Sequence, residues 1–154
     1  MKHVSFILLM IGVAVVFFLI MLYGEDRAFL YERVIPAEEV TLDLWMASFR
    51  YWATWVIGCA LVASLSWYAL GQWGFKLNEW ENAKKRPVWF LLAVLPIIVG
   101  IVAVISTPDA RAGHYWAYAF YFFNGIMVYY LATVLFSPTS FKYTPPGAAI
   151  VRQW

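Results

Sequence analysis

The chain has 154 residues, of which 64% are hydrophobic, 20% aromatic and only 13% charged. A soluble domain is about half apolar and about a quarter charged, and a chain this short cannot bury such an excess away from water. The composition excludes a water-soluble globular domain, a disordered tail and a nucleic-acid binder. A net charge of +2 argues for neither nucleic acid nor anionic lipid as a partner.

Four uncharged apolar runs predict an all-α, polytopic membrane protein with transmembrane helices at about 4–23, 51–73, 88–106 and 115–136. The first, Val4–Tyr23, holds only Ser5 as a strongly polar residue. At about 1.5 Å per residue it crosses a hydrocarbon core of about 30 Å. It is too long for the apolar part of a signal peptide, and the following MLYGED offers no A-x-A cleavage site, so a retained helix is expected.

The segment Gly24–Phe49 carries Glu25, Asp26, Glu32, Glu38, Glu39 and Asp43 against Arg27 and Arg33. Within it, AEEVTLDLWMASFRYW follows Pro36, a residue suited to a first helical turn, and Glu38 and Glu39 suit the positive end of the helix dipole. An outer interfacial helix is expected at about 37–50, lying along the membrane surface or extending span two outward. Leu42, Trp45, Phe49 and Trp52 form its apolar face. Arg50 is expected to snorkel to headgroups or to pair with Asp43.

The second run, Tyr51–Trp73, has Trp52, Trp55, Trp67 and Trp73 near its ends, the pattern of aromatic belts at two interfaces. Its small residues recur at four-residue spacing, Cys59 with Ala63 and Ala60 with Ser64, which permits close helix approach. Gly12 and Gly100 suit the same purpose in spans one and three. Cys59 is the single cysteine, so the chain can form neither an intramolecular disulfide nor a paired-cysteine metal site. The linker FKLNEWENAKKRP reads as a solvated topology anchor or as a partner-docking loop.

The third run, Val88–Ser106, begins after Pro87 and contains Pro96, a kink position. The fourth, Tyr115–Phe136, lies between Gly113 and Ser137-Pro138 and is crowded with tyrosine and phenylalanine. Lys2, the Lys84-Lys85-Arg86 cluster, Lys142 and Arg152 all fall on one side if both termini are cytoplasmic, which leaves the acidic first loop outside. A multi-pass protein of the cell (inner) membrane with both termini in the cytoplasm is therefore expected.

Residues 1–136 form the four-helix transmembrane domain in this reading, and 137–154 form an extended cytoplasmic docking tail. Pro145-Pro146-Gly147 blocks continuation of the helix. Yet the tail keeps large apolar groups that a free tail normally lacks. Phe141, Tyr143, Pro145, Pro146, Ile150 and Trp154 are expected to dock on the chain's own bundle or on a neighbouring subunit.

Chemistry-bearing residues are few. No ionisable group sits at the centre of a span, which argues against a proton pump, an ion-coupled transporter or a voltage sensor. His3 and His114 fall at opposite membrane faces, so one chain cannot offer both to a haem. His114 remains a cofactor-binding candidate with a partner's histidine, or else an interfacial residue. Asn124 is the strongly polar side chain near a span centre. It is expected to pack against Ser64 or Ser66 of span two or against a neighbouring subunit, or to contact a quinone-like cofactor. Tyr118, Tyr121, Phe122 and Tyr129 form one face of span four, for packing or for stacking on a pigment. No GxGxxG, Walker, HExxH or GxSxG motif occurs. No catalytic residue, metal or cofactor is expected.

These readings converge on a non-catalytic integral membrane subunit that scaffolds or assembles a larger complex, with other membrane subunits and the bilayer as partners. The alternatives are a homo-oligomeric channel or membrane effector, and a haem- or quinone-binding redox subunit.

Overall fold

The computed structural model describes residues 2–74, 82–138, 141 and 144–151. Helix α1 covers Lys2–Ile20, and its backbone does not turn into a loop at Tyr23. It continues as a π-helical segment, Met21–Leu30, and a single α-turn, α2 (Tyr31–Arg33). The cause lies in the apolar residues scattered through this acidic stretch. Met21, Leu30 and Val34 are buried in the core, and Phe29 packs edge-on against Trp116 and Phe120. A helical path returns these side chains to the bundle, where their burial offsets the poorer geometry of π-type bonding.

A two-residue strand, β1 (Ile35–Pro36), then pairs antiparallel with β2 (Ala110–Ala112), Ile35 opposite Ala112 and Pro36 opposite Ala110. The next helix, α3, runs unbroken over Leu42–Ala69 and ends in a π-type turn, Leu70–Gly74. Of the two readings of 37–50, the separate interfacial helix is corrected and the outward extension of span two holds, with the helix starting at Leu42 after a turn rather than at about Ala37. Pro36 starts no helix, because it belongs to β1. The N-cap is Thr41, with extended backbone at φ −71° and ψ 150° and a side-chain oxygen accepting from the Leu44 amide at 3.3 Å. Trp45 and Phe49 are fully buried and Leu42 and Trp52 half-buried, so this apolar face packs on the bundle.

Helix α4 covers Asn82–Ser106 and runs through Pro87 rather than starting after it. Helix α5 covers His114–Phe136, entered through Gly113 at φ 82°. A Cβ at Gly113 would lie 2.1 Å from the Arg33 carbonyl oxygen, so only glycine fits this crossing of β2 beneath α2. A short helix, α6 (Ala148–Val151), follows a turn at Gly147, φ 77°. Among the described tail residues, Ala148–Val151 are thus helical.

Four helices are long and apolar enough to cross a membrane: His3–Tyr23, Leu42–Gln72, Lys85–Ser106 and His114–Phe136. They alternate in direction. Phe6 near the start of α1 meets Tyr68 and Phe136 at the ends of α3 and α5, and Trp89 near the start of α4 meets Tyr129 toward the end of α5. Helices α3 and α5 form the central pair, each packed on both α1 and α4, while α1 and α4 flank the pair and bury much less of their surface. His3, Tyr68, Lys85 and the tail share one end of the bundle. The β-ribbon, Trp45 and His114 share the other.

Candidate functional site

Three layers of side chains organise the interior. At the ribbon end, the Trp45 indole N–H donates to the Pro108 carbonyl at 2.7 Å, and the Thr107 and Tyr121 hydroxyls share a hydrogen bond of 2.8 Å. Phe49 stacks between Trp45 and Tyr121, at centroid distances of 6.2 and 5.1 Å. The Ala37 amide donates to the Asp109 carbonyl at 3.2 Å, and Arg111 forms an ion pair with Glu38 on the surface. Arg33 lies 4.2 Å above the Phe29 ring. The α4–α5 connection is thus clamped to the α1–α3 connection by the β1–β2 pairing, the Ala37–Asp109 hydrogen bond and the Arg111–Glu38 ion pair. Asp43, considered as a partner for Arg50, has the Tyr31 hydroxyl 3.4 Å from its Oδ1.

The middle layer holds Asn124 and Gly125, both buried on α5. A Cβ at Gly125 would lie 2.8 Å from Val56 Cγ1 and 3.3 Å from Pro96 Cβ. Here α3, α4 and α5 meet with no room for a side chain. Phe122 covers Gly100 of α4 in the same way, its ring 3.0 Å from where a Cβ would stand. Of the small residues singled out on α3, Ala60, Ala63 and Ser64 point inward and are fully buried, while Cys59 is half-buried. The Ser64 hydroxyl donates to the Ala60 carbonyl of its own helix at 2.8 Å. That back-bond supplies a buried hydroxyl with an acceptor without help from α5.

At the opposite end, a polar network links three helices. The Trp89 indole donates to Thr133 Oγ1 at 2.9 Å, and the Tyr129 hydroxyl donates to the Trp89 carbonyl at 2.7 Å. The Trp67 indole donates to Ser137 Oγ at 2.8 Å, and Ser137 in turn donates to the Thr133 carbonyl. Each side-chain hydrogen bond of this kind adds about 0.6–2 kcal/mol where no water competes. The span-four tyrosine face therefore divides. Tyr121 and Tyr129 are buried and hydrogen-bonded, whereas Tyr118 and Phe122 are half-buried.

His3 Nδ1 lies 2.9 Å from the Tyr68 hydroxyl, and His114 sits at the far end of the bundle beside Tyr115 and Tyr118, at ring distances of 4.0 and 5.3 Å. The two histidines cannot meet within one chain. His114 Nδ1 is buried without a hydrogen-bond partner among the described residues. No group of three His, Cys, Asp or Glu side chains among the described residues could hold a metal ion.

Of the expected docking residues, Phe141 is buried against Trp67 at a centroid distance of 4.4 Å, and Pro145 is buried. Pro146 is exposed at its ring while its carbonyl accepts from the Tyr130 hydroxyl at 2.9 Å, and Ile150 points outward. Tyr143 and Trp154 lie outside the described residues, as do Phe75–Glu81 of the expected linker. Outside the interior, an open apolar groove of about 400 Å³ runs between α1 and α5, with Leu9, Gly12, Val16 and Leu131 among its walls.

What sequence reasoning missed are the pairings of the two end layers: Trp45 with Pro108, Tyr121 with Thr107, Trp67 with Ser137 and Trp89 with Thr133. The available signal was chemical. A tryptophan within an apolar span needs an acceptor when buried, and Thr133 and Ser137 are hydroxyls at the end of span four. Compared with protein-family models, with curated proteins and with solved structures, the chain matches none.

Proposed function

We propose that this protein is a non-catalytic integral membrane subunit that scaffolds a larger assembly, held in the cell membrane with both termini cytoplasmic. The observation that carries this reading is the division of labour among the helices. The interior of α3, α4 and α5 is filled by Trp45, Phe49, Tyr121, Trp67, Trp89 and Tyr129, whose N–H and O–H groups are bonded within the chain to Pro108, Thr107, Ser137, Thr133 and the Trp89 carbonyl. Such a core supports rigidity rather than substrate binding, since a site needs a concavity with convergent polar groups. Meanwhile α1 and α4 turn long aliphatic faces outward, including Leu8, Ile11, Val15 and Leu19 on α1 and Leu91, Ile98 and Ile105 on α4. Two outward helices on opposite flanks suit a piece that joins neighbours on both sides.

A pore would have to form between copies, because the single-chain interior is packed with aromatic rings. His114 Nδ1, buried without a hydrogen-bond partner among the described residues, is the observation that favours the redox reading, in which a partner's cofactor would complete the site. Purification of the full chain from its native membrane in mild detergent, followed by mass spectrometry and an absorption spectrum, separates these readings. The scaffold reading expects stoichiometric unlike membrane subunits and no Soret band from this chain. A lone homo-oligomer that conducts in planar bilayers would overturn it, and a Soret band lost in His114→Ala would replace it with the redox reading.

A further inference from the structure

We propose that the outer face of α3, formed by Tyr51, Thr54, Trp55, Gly58 and Val62, pairs with the same face of a second copy of this chain inside the bilayer. The proposal rests on the reading of the four long helices as membrane spans, not on the scaffold role. All five residues are exposed and recur at helical spacing, so they form one uninterrupted stripe. Its depth singles it out. Val56, the neighbour of Trp55, packs at Gly125, the central residue of α5, where Pro96 of α4 also meets it. Trp55 suits an aromatic belt in the sequence, yet it stands at the middle of the bundle rather than at its rim. Trp55 is 56% exposed there, and Tyr51, one turn nearer the ribbon, is 57% exposed. Neither the indole N–H nor the phenolic hydroxyl has a hydrogen-bond partner among the described residues. Aliphatic groups on α1 and α4 are at home against lipid tails, but tails accept no hydrogen bond, and an unpaired donor among them is costly.

The stripe carries its own complement. Thr54 Oγ1 donates to the Arg50 carbonyl at 2.7 Å and keeps lone pairs for a further donor. Nothing lies within 4 Å of a Cβ built on Gly58, which leaves an open notch one turn from Thr54 and Trp55. A small residue at a crossing point lets two helix backbones approach closely. Two copies with the same orientation in one membrane are related by a two-fold axis along the membrane normal, so equivalent residues of the two stripes meet at equal depth. Trp55 of each copy then stands at the level of Thr54 of the other, donor facing acceptor, with the two Gly58 backbones at the crossing. A helix of an unlike subunit would have to bring its own acceptor to that depth.

The test joins two measurements on the full-length protein. In native membranes, a photo-crosslinking amino acid at Val62 is expected to give an adduct that mass spectrometry identifies as two copies of this chain. In phosphatidylcholine vesicles, chains carrying a donor or an acceptor dye at the amino terminus are titrated by protein-to-lipid ratio, and energy transfer gives the dimer dissociation constant. Trp55→Phe keeps a ring and removes the N–H, and should raise that constant about threefold to tenfold. Gly58→Val fills the notch and should raise it about tenfold or more. Gly12→Val, an equally open glycine on α1, should leave it unchanged. At less than one chain per micelle, Gly58→Val should unfold as the wild type does, which separates lost pairing from lost fold. Energy transfer no greater than random proximity in the wild type overturns the proposal, and so does a wild-type constant for either variant. Val62 adducts to lipid alone, or to an unlike polypeptide alone, also overturn it and leave the membrane reading standing. Release of the chain from membranes by alkaline carbonate would overturn both.

Discussion

The junction at Gly125 brings three helices together with no room for a side chain, and Gly125→Val is the perturbation that probes it. A Cβ at this position falls 2.8 Å from Val56 Cγ1, about a full ångström inside the optimum carbon–carbon separation. Val56 is fully buried on α3 and has a β-branched side chain with one favoured helical rotamer, so it cannot swing aside. The second neighbour, Pro96 Cβ at 3.3 Å, is fixed in a ring. Overpacking at such a site costs about 2–3 kcal/mol, and replacing glycine in a helix interior returns less than about 1 kcal/mol. The net loss is about 1–2 kcal/mol. Equilibrium unfolding in mixed micelles, followed by helical circular dichroism, measures it. Val56→Ala vacates the space that the new side chain needs, so the double variant should recover about 1 kcal/mol relative to the sum of the two single effects. Wild-type stability for Gly125→Val, or simple additivity in the double variant, would refute the three-helix contact.

Further outcomes follow from the same geometry. Gly12→Val and Gly58→Val place a Cβ where nothing lies within 4 Å, so micelle unfolding should show both within about 0.5 kcal/mol of wild type. Tyr129→Phe removes the donor to the Trp89 carbonyl and should cost about 1 kcal/mol in the same measurement, with little change in helix content. Asn124→Leu removes a buried amide from the middle layer and should cost about 1 kcal/mol in the same unfolding measurement; wild-type stability would show that the amide adds nothing to the bundle.

The parts of the fold legible in the sequence are those governed by solvent. The four apolar runs follow from the length of chain that hydrocarbon requires, and their alternating direction follows from that count. Buried tyrosines were legible as groups in need of protein partners, and Tyr121 and Tyr129 have them. The start of α3 was not legible in the same way. Leu42, Trp45, Phe49 and Trp52 keep helical spacing whether they meet lipid or protein, and periodicity carries no information about which. The π-helical continuation after Ile20 depends on Met21, Leu30 and Val34 reaching a core whose other walls lie far along the chain. The end layers depend on pairs such as Trp45 with Pro108 and Trp67 with Ser137, distant in sequence, which no local pattern announces. Similarly, the apolar tail showed that something must cover Phe141, but not that Gly71 and Trp67 do so.

The central claim, that this chain is a joining piece rather than a solitary bundle, is tested most directly inside the intact membrane. A photo-crosslinking amino acid at Ile11 or Val15 on α1, and at Ile98 on α4, samples the two outward flanks. The scaffold reading predicts discrete adducts to unlike membrane polypeptides from both flanks. Adducts only to lipid, or only to a second copy of the same chain, would contradict it.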